Sequence, residues 1–281
     1  MKTSCPDTRE EQKMDLSDEV KKTLTEILAK YAAGNAEIVR TYFSRPRSRE
    51  QDIAWLKCQA ARELTTAWKF LDNLKDLQPQ FEKELKRKDY ENLARAFSEE
   101  LEHYRLFVAI LEEEFGEKID VDELLTLGVW SDNDRFPENT KKARYEKELR
   151  ASGDEMAKIA LGIGEGGGSG WLIGLSRITG GKLEQRMAHA AREISHDEMF
   201  HGPIHIAAAA RRIKTPDQLE RAKSVLARYL QYHLRMKNEQ FGNPLSKERL
   251  EEIDQGKVQP LEGVDFSPIG REREDLAAYA L

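Results

Sequence analysis

Two Glu-x-x-His pairs stand out in the chain, Glu100–His103 and Glu198–His201. A lone glutamate precedes each on an apolar helical face, Glu63 before the first pair and Glu165 before the second. Residues i and i+3 of a helix are surface neighbours. Each pair therefore presents a carboxylate beside an imidazole. Four carboxylates and two imidazoles turned into one interior require a cation to neutralise them, because unpaired buried charge is strongly disfavoured. The set reads as a two-metal site. Oxygen and nitrogen donors without a thiolate suit Fe or Mn better than a structural Zn. Two Fe ions are the expected occupants, with Mn/Fe as the alternative.

The elements that must position these groups are helical. The chain is rich in Ala, Leu, Glu, Lys and Arg, all strong helix formers. Alternating β-branched runs are almost absent, which predicts an all-α fold. Helices are expected over 17–42, 49–77, 89–115, 139–178, 183–214 and 216–238, with a short pattern over 80–87 and a helical turn over 120–127. Gly180–Gly181 closes the fourth of the long helices, and Gly202–Pro203 interrupts the fifth. From Gly242 onward the pattern fades into an irregular tail. The organisation expected is an N-terminal helix and loop over 1–48, a metal-binding helical bundle over 49–214, and a C-terminal helix with tail over 215–281.

At about 100° per residue, each candidate can be tested for its facing. Leu56, Glu63, Phe70 and Leu74 share one line, so Glu63 is an acid on a buried stripe. Leu93, Phe97, Glu100, Tyr104, Phe107 and Leu111 form the next stripe, with His103 about 60° to one side and Glu99 and Glu102 turned away. Both Glu193–His196 and Glu198–His201 fit the motif. Leu183, Met187, Ala191 and Ile194 align with Glu198, His201 and His205, which assigns Glu193 and His196 to a polar outer face. Glu165 aligns with Leu161, Leu172 and Asp154, but Gly162, Gly164, Gly166, Gly167, Gly168 and Gly170 surround it. Each interior glycine costs a helix about 0.5–1 kcal/mol relative to alanine. The segment must be unwound there, or something must approach its backbone closely.

Other residues carry weaker expectations. His205, one turn after His201, is a candidate to support the ligands or to join them, against the simpler role of a satisfied core histidine, and Asp154 is a candidate to hydrogen-bond a ligand histidine, against that of a surface or capping acid. Tyr104 is the candidate redox side chain, against the simpler role of a packed core tyrosine. The glycine run lacks the strand before it and the Lys-Ser/Thr after it that a phosphate loop needs.

Composition bounds the function further. Charged residues make up 34% of the 281 positions and hydrophobic ones 39%, enough for a sizeable core. The net charge of −6, with no Lys/Arg cluster, argues against a nucleic-acid partner. No segment is apolar enough to span a membrane, and Met1–Met14 has no apolar run of the secretory kind. Cys5 and Cys58 have no metal-like spacing and read as free thiols, which fits a cytoplasmic location.

With Glu63, Glu100-Leu-Glu-His103, Glu165 and Asp197-Glu198-Met-Phe-His201, the chain resembles the ferritin-like di-iron carboxylate superfamily over about residues 49–214. The Asp-Glu-x-x-His form resembles that of the oxygenase and oxidase branches. The resemblance implies a four-helix bundle with additional N- and C-terminal helices, and metals held by Glu63, Glu100, His103, Glu165, Glu198 and His201. It also implies O2, an electron donor and a small organic substrate as partners, and it is compatible with a homodimer. An O2-activating oxygenase or oxidase is the first expectation. A ferroxidase or peroxide-scavenging protein is the second, and a non-catalytic helical scaffold the third.

Overall fold

The computed structural model describes residues 15–80, 87–127, 134–198 and 201–267. Among these there are eleven α-helices and no strand. They are α1 (Leu16–Phe43), α2 (Arg49–Leu77), α3 (Arg87–Phe115), α4 (Val121–Thr126), α5 (Pro137–Ala151) and α6 (Glu155–Gly168). The chain continues through α7 (Gly170–Ser176), α8 (Lys182–Glu198), α9 (His201–Arg212), α10 (Pro216–Gln240) and α11 (Lys247–Asp254). No helix among the described residues is long and apolar enough to cross a membrane.

Local chemistry sets the helix starts. At α2 the Gln51 N–H donates to Ser48 Oγ (3.3 Å) and the Ser48 N–H donates to Gln51 Oε1 (2.8 Å), a reciprocal capping box. Thr215 and Ser246 cap α10 and α11 through their hydroxyls, which accept from the backbone N–H groups of Gln218 and Arg249.

The helix predicted over 139–178 is three helices. Gly153 takes a positive φ of 68°, which an L side chain rarely tolerates, and this ends α5. Asp154 then caps α6. A second break falls at Ser169, where α7 begins. Over 183–214 the described residues are helical both before and after 199–200, and Gly202 and Pro203 lie within α9, so the interruption expected at them does not fall there. The tail predicted as irregular contains α11, whose Leu250 and Ile253 are buried. Most of the short pattern over 80–87 lies outside the described residues.

α2 and α3 pack along their length. α10 lies against α5 and α6, while α1 touches α6, α7, α9 and α10. Val20, Leu24, Leu28, Tyr31 and Ile38 of α1 are fully buried. Each such side chain contributes on the order of 1.5–3 kcal/mol. The N-terminal helix is thus part of the main core. Its contact with α7 is backbone on backbone. A Cβ at Gly174 would sit 2.9 Å from Ala36 Cα, and one at Gly170 would run into the Ala32 backbone. An aromatic cluster joins α2, α3 and α7 to the end of α10. Trp55 stacks on Phe241 at 4.9 Å, and Phe107 stacks on Trp171 at 6.2 Å. Of these rings, Trp171 lines the space described next.

Candidate metal centre and its cavity

α2 and α3 bring Glu63, Glu100 and His103 together. One ligand atom from each lies within 4.8 Å of the others. His103 Nδ1 is 3.8 Å from Glu100 Oε2. The Gln59 amide, one turn before Glu63, donates to Glu63 Oε1 at 2.5 Å. Glu63 is 9% exposed and His103 3%. Glu100 Oε2 is buried and has no hydrogen-bond partner among the described residues. Burial pushes the Glu100 carboxyl well above the usual carboxylate range. His103 opposes this shift, and the charges of Glu63 and Glu198 add to it. Two oxygen donors and one imidazole, with an unsatisfied carboxylate oxygen among them, fit a divalent cation of the Fe or Mn type.

Glu198 lies in α8 and lines the same cavity as the triad. Of the remaining predicted ligands, Glu165 lies in α6 and His201 in α9, but their side chains, like that of Asp197, lie outside the described residues. The outer-face assignment of Glu193 and His196 agrees with their exposure.

The facing of α3 differs from the sequence expectation. Its buried line runs through Asn92, Ala96, His103, Phe107 and Ile110, so His103 rather than Glu100 sits at the centre. Glu99 is half-buried and lines the cavity instead of turning away. Tyr104 is rotated to the other side. It packs on the core but does not reach the cavity, so the redox role expected for it has no geometric support. Asp154 takes the alternative role, that of a capping acid. Its carboxylate accepts from Met156 N (2.8 Å) and Ala157 N (3.3 Å) and pairs with Arg221 (2.8 Å), with no histidine among its partners. His205 is buried in the contact between α9 and α6, its ring against Gly162, and it does not line the cavity.

The cavity beside the triad has a volume of about 740 Å³. Phe70, Leu172, Ile194 and Met236 give it apolar lining. The glycines of α6 make its wall thin. The Tyr229 ring lies against the backbone of Gly164. A Cβ at Gly168 would stand 3.0 Å from His233 Nε2. Side chains of α10 thus fill the space beside Gly164 and Gly168, while His205 of α9 lies against Gly162 and the Ala32 backbone of α1 against Gly170.

Sequence reasoning missed the walls supplied by α5 and α10. Lys142 donates to Glu146 at 2.8 Å, and Arg150 donates to the same carboxylate at 2.9 Å. Burial opposes ionisation of Glu146, but Lys142 and Arg150 hold its pKa down to about 2. On α10, Tyr229, His233 and Lys237 face the cavity. The signal was present: a histidine and a lysine four residues apart interrupt the apolar line Leu226, Leu230, Leu234. Arg62 on α2 donates to Asn139 Oδ1 at the start of α5.

Comparison with protein-family models, with curated proteins and with solved structures returns no match.

Proposed function

We propose that this chain is an O2-activating di-metal oxidoreductase of the ferritin-like carboxylate kind, an oxygenase or oxidase acting on a small organic molecule. The observation that carries the reading is the buried Glu63–Glu100–His103 triad opening onto a cavity of about 740 Å³. That volume lies in the range of organic-ligand sites. Bound iron would supply Lewis acidity and one-electron chemistry toward O2. Glu63, Glu100 and His103 would hold it, with Glu198, Glu165 and His201 completing the set. Gln59 fixes the Glu63 carboxylate through its amide, the kind of outer support that ligands need. Trp171, Leu172 and Ile194 give the cavity beside the triad an apolar lining. A ferroxidase would need no such cavity.

The test is anaerobic titration with Fe(II) and Mn(II), followed by equilibrium dialysis and metal analysis. Two ions per chain are expected, with an absorbance change when O2 is admitted to the Fe(II) form. His103→Ala should lose metal while keeping its helical circular dichroism. A wild-type chain that retains no metal at millimolar Fe(II) or Mn(II) would end the proposal.

A further inference from the structure

We propose that the cavity receives an organic acid, with its oxyanion head seated at Lys237 and His233 and its apolar body against Phe70, Leu172 and Ile194. This rests on the reading of the cavity as the substrate site of the metal centre.

Lys237 is only 2% exposed. Its ammonium donates to Gln59 Oε1 (2.8 Å) and Gln240 Oε1 (3.1 Å) and lies 4.0 Å above the Trp171 ring. All three partners are neutral, and no carboxylate of the described residues forms a salt bridge with Lys237. A buried cation so placed is costly to keep: burial, with Arg62 and Lys142 adding to it, pushes the Lys237 pKa well below the usual lysine range, and the more distant Glu63 only partly opposes this. Such an arrangement favours an anion arriving from outside the chain. His233 stands one turn earlier on the same face of α10. It is 9% exposed, and its Nδ1 has no hydrogen-bond partner among the described residues. Its other edge is pressed toward Gly168. Both side chains line the cavity. An oxyanion placed between them would pair the ammonium and occupy the orphaned nitrogen together.

The position also suits the chemistry. Gln59 accepts from Lys237 and donates to Glu63, so one amide spans the basic seat and the metal triad. A head group at Lys237 would hold the adjoining carbon chain beside the centre. Arg62 and Lys142 line the same cavity, where they stand against the carboxylates of Glu63, Glu100, Glu146 and Glu198.

The experiment is calorimetric titration of the full chain, with and without Mn(II). The ligands are octanoate, 4-phenylbutyrate, octyl phosphate, octylamine and 1-octanol. At least one acid should bind at a single site, with the amine and the alcohol tenfold or more weaker. The octanoate and octyl phosphate arms distinguish a carboxylate head from a phosphate head. Lys237→Met should weaken the acid by ~10- to 100-fold, the range of a charge-assisted hydrogen bond, and Lys237→Arg should restore most of it. The preference of the wild-type chain for acid over alcohol needs no variant, so it stands even if Lys237→Met folds poorly. The inference is overturned if no acid binds at millimolar concentration, if the alcohol binds as tightly, or if a folded Lys237→Met binds unchanged. Acid binding without metal uptake would remove the metal proposal and leave this seat standing. Metal uptake without acid binding would remove the seat alone.

Discussion

Lys142 and Glu146 meet at 2.8 Å, one turn apart on α5 and both buried in the cavity wall. The folded pKa of Glu146 is about 2 against an ordinary 4.5. A depressed carboxylate contributes stability above its unfolded pKa and loses it as pH falls through the folded value. The difference corresponds to about 3 kcal/mol, present above pH 4.5 and gone near pH 2. Glu146→Gln should therefore flatten the fall of stability across that window. It should also cost ~3–5 kcal/mol at neutral pH by removing the carboxylate charge that faces the buried Lys142 ammonium. Urea denaturation at a series of pH values measures both effects. An unchanged slope in the variant would show that the pair is not the acid-sensitive element.

Glu100 makes the opposite prediction. Its carboxyl is raised by burial and by neighbouring acids, so its charge penalises the metal-free fold at neutral and higher pH. In the presence of a chelator at pH 8, Glu100→Gln should melt at a higher temperature than the wild type. With Mn(II) added the order should reverse. A ligand at a hundredfold excess over its dissociation constant stabilises by about 2.7 kcal/mol per site, and the variant should gain little of that. Thermal melts of both proteins, with and without Mn(II), give the four numbers needed. Equal metal-induced shifts would remove Glu100 from the ligand set.

Gly164 and Tyr229 define a third prediction. Alanine has the better helix propensity by about 1 kcal/mol, yet a methyl at Gly164 would run into the Tyr229 ring. Overpacking of this kind costs roughly 1–3 kcal/mol. Gly164→Ala should destabilise the wild-type chain and become neutral or stabilising in a Tyr229→Ala background. Chemical denaturation of the four proteins of that cycle gives the coupling directly. An additive cycle would mean that the ring and the helix do not press on each other.

Much of the architecture was legible from the sequence. The helical class and the bounds of α1, α2 and α10 follow from apolar spacing and caps, to within a few residues at each end. Glu63, Glu100 and His103 were legible because acids and imidazoles on apolar stripes are conspicuous. What stayed hidden has physical reasons. The breaks at Gly153 and Ser169 depend on one residue each, and an averaged helical period passes over such points. α11 is short, and its burial depends on α1, a partner more than two hundred positions away. The α3 facing was offset because His103 is polar and was weighed as a flank, while the fold places it at the centre. Lys237 was overlooked because a single lysine on a helix usually has its ammonium in water. Its burial arises from α2 and α7, which no local window includes.

The junction of α1 with α7 has a reach beyond its own contact. Where Gly170 and Gly174 rest on Ala32 and Ala36, main chain meets main chain and no side chain can yield. Any added bulk there must translate a whole rod. Trp171 travels with that rod, and the Lys237 ammonium rides on its ring. The first helix of the chain therefore acts as a fixed gauge for a pocket that it does not line, and a methyl group added at Gly174 would be felt as a displaced floor beneath the ammonium.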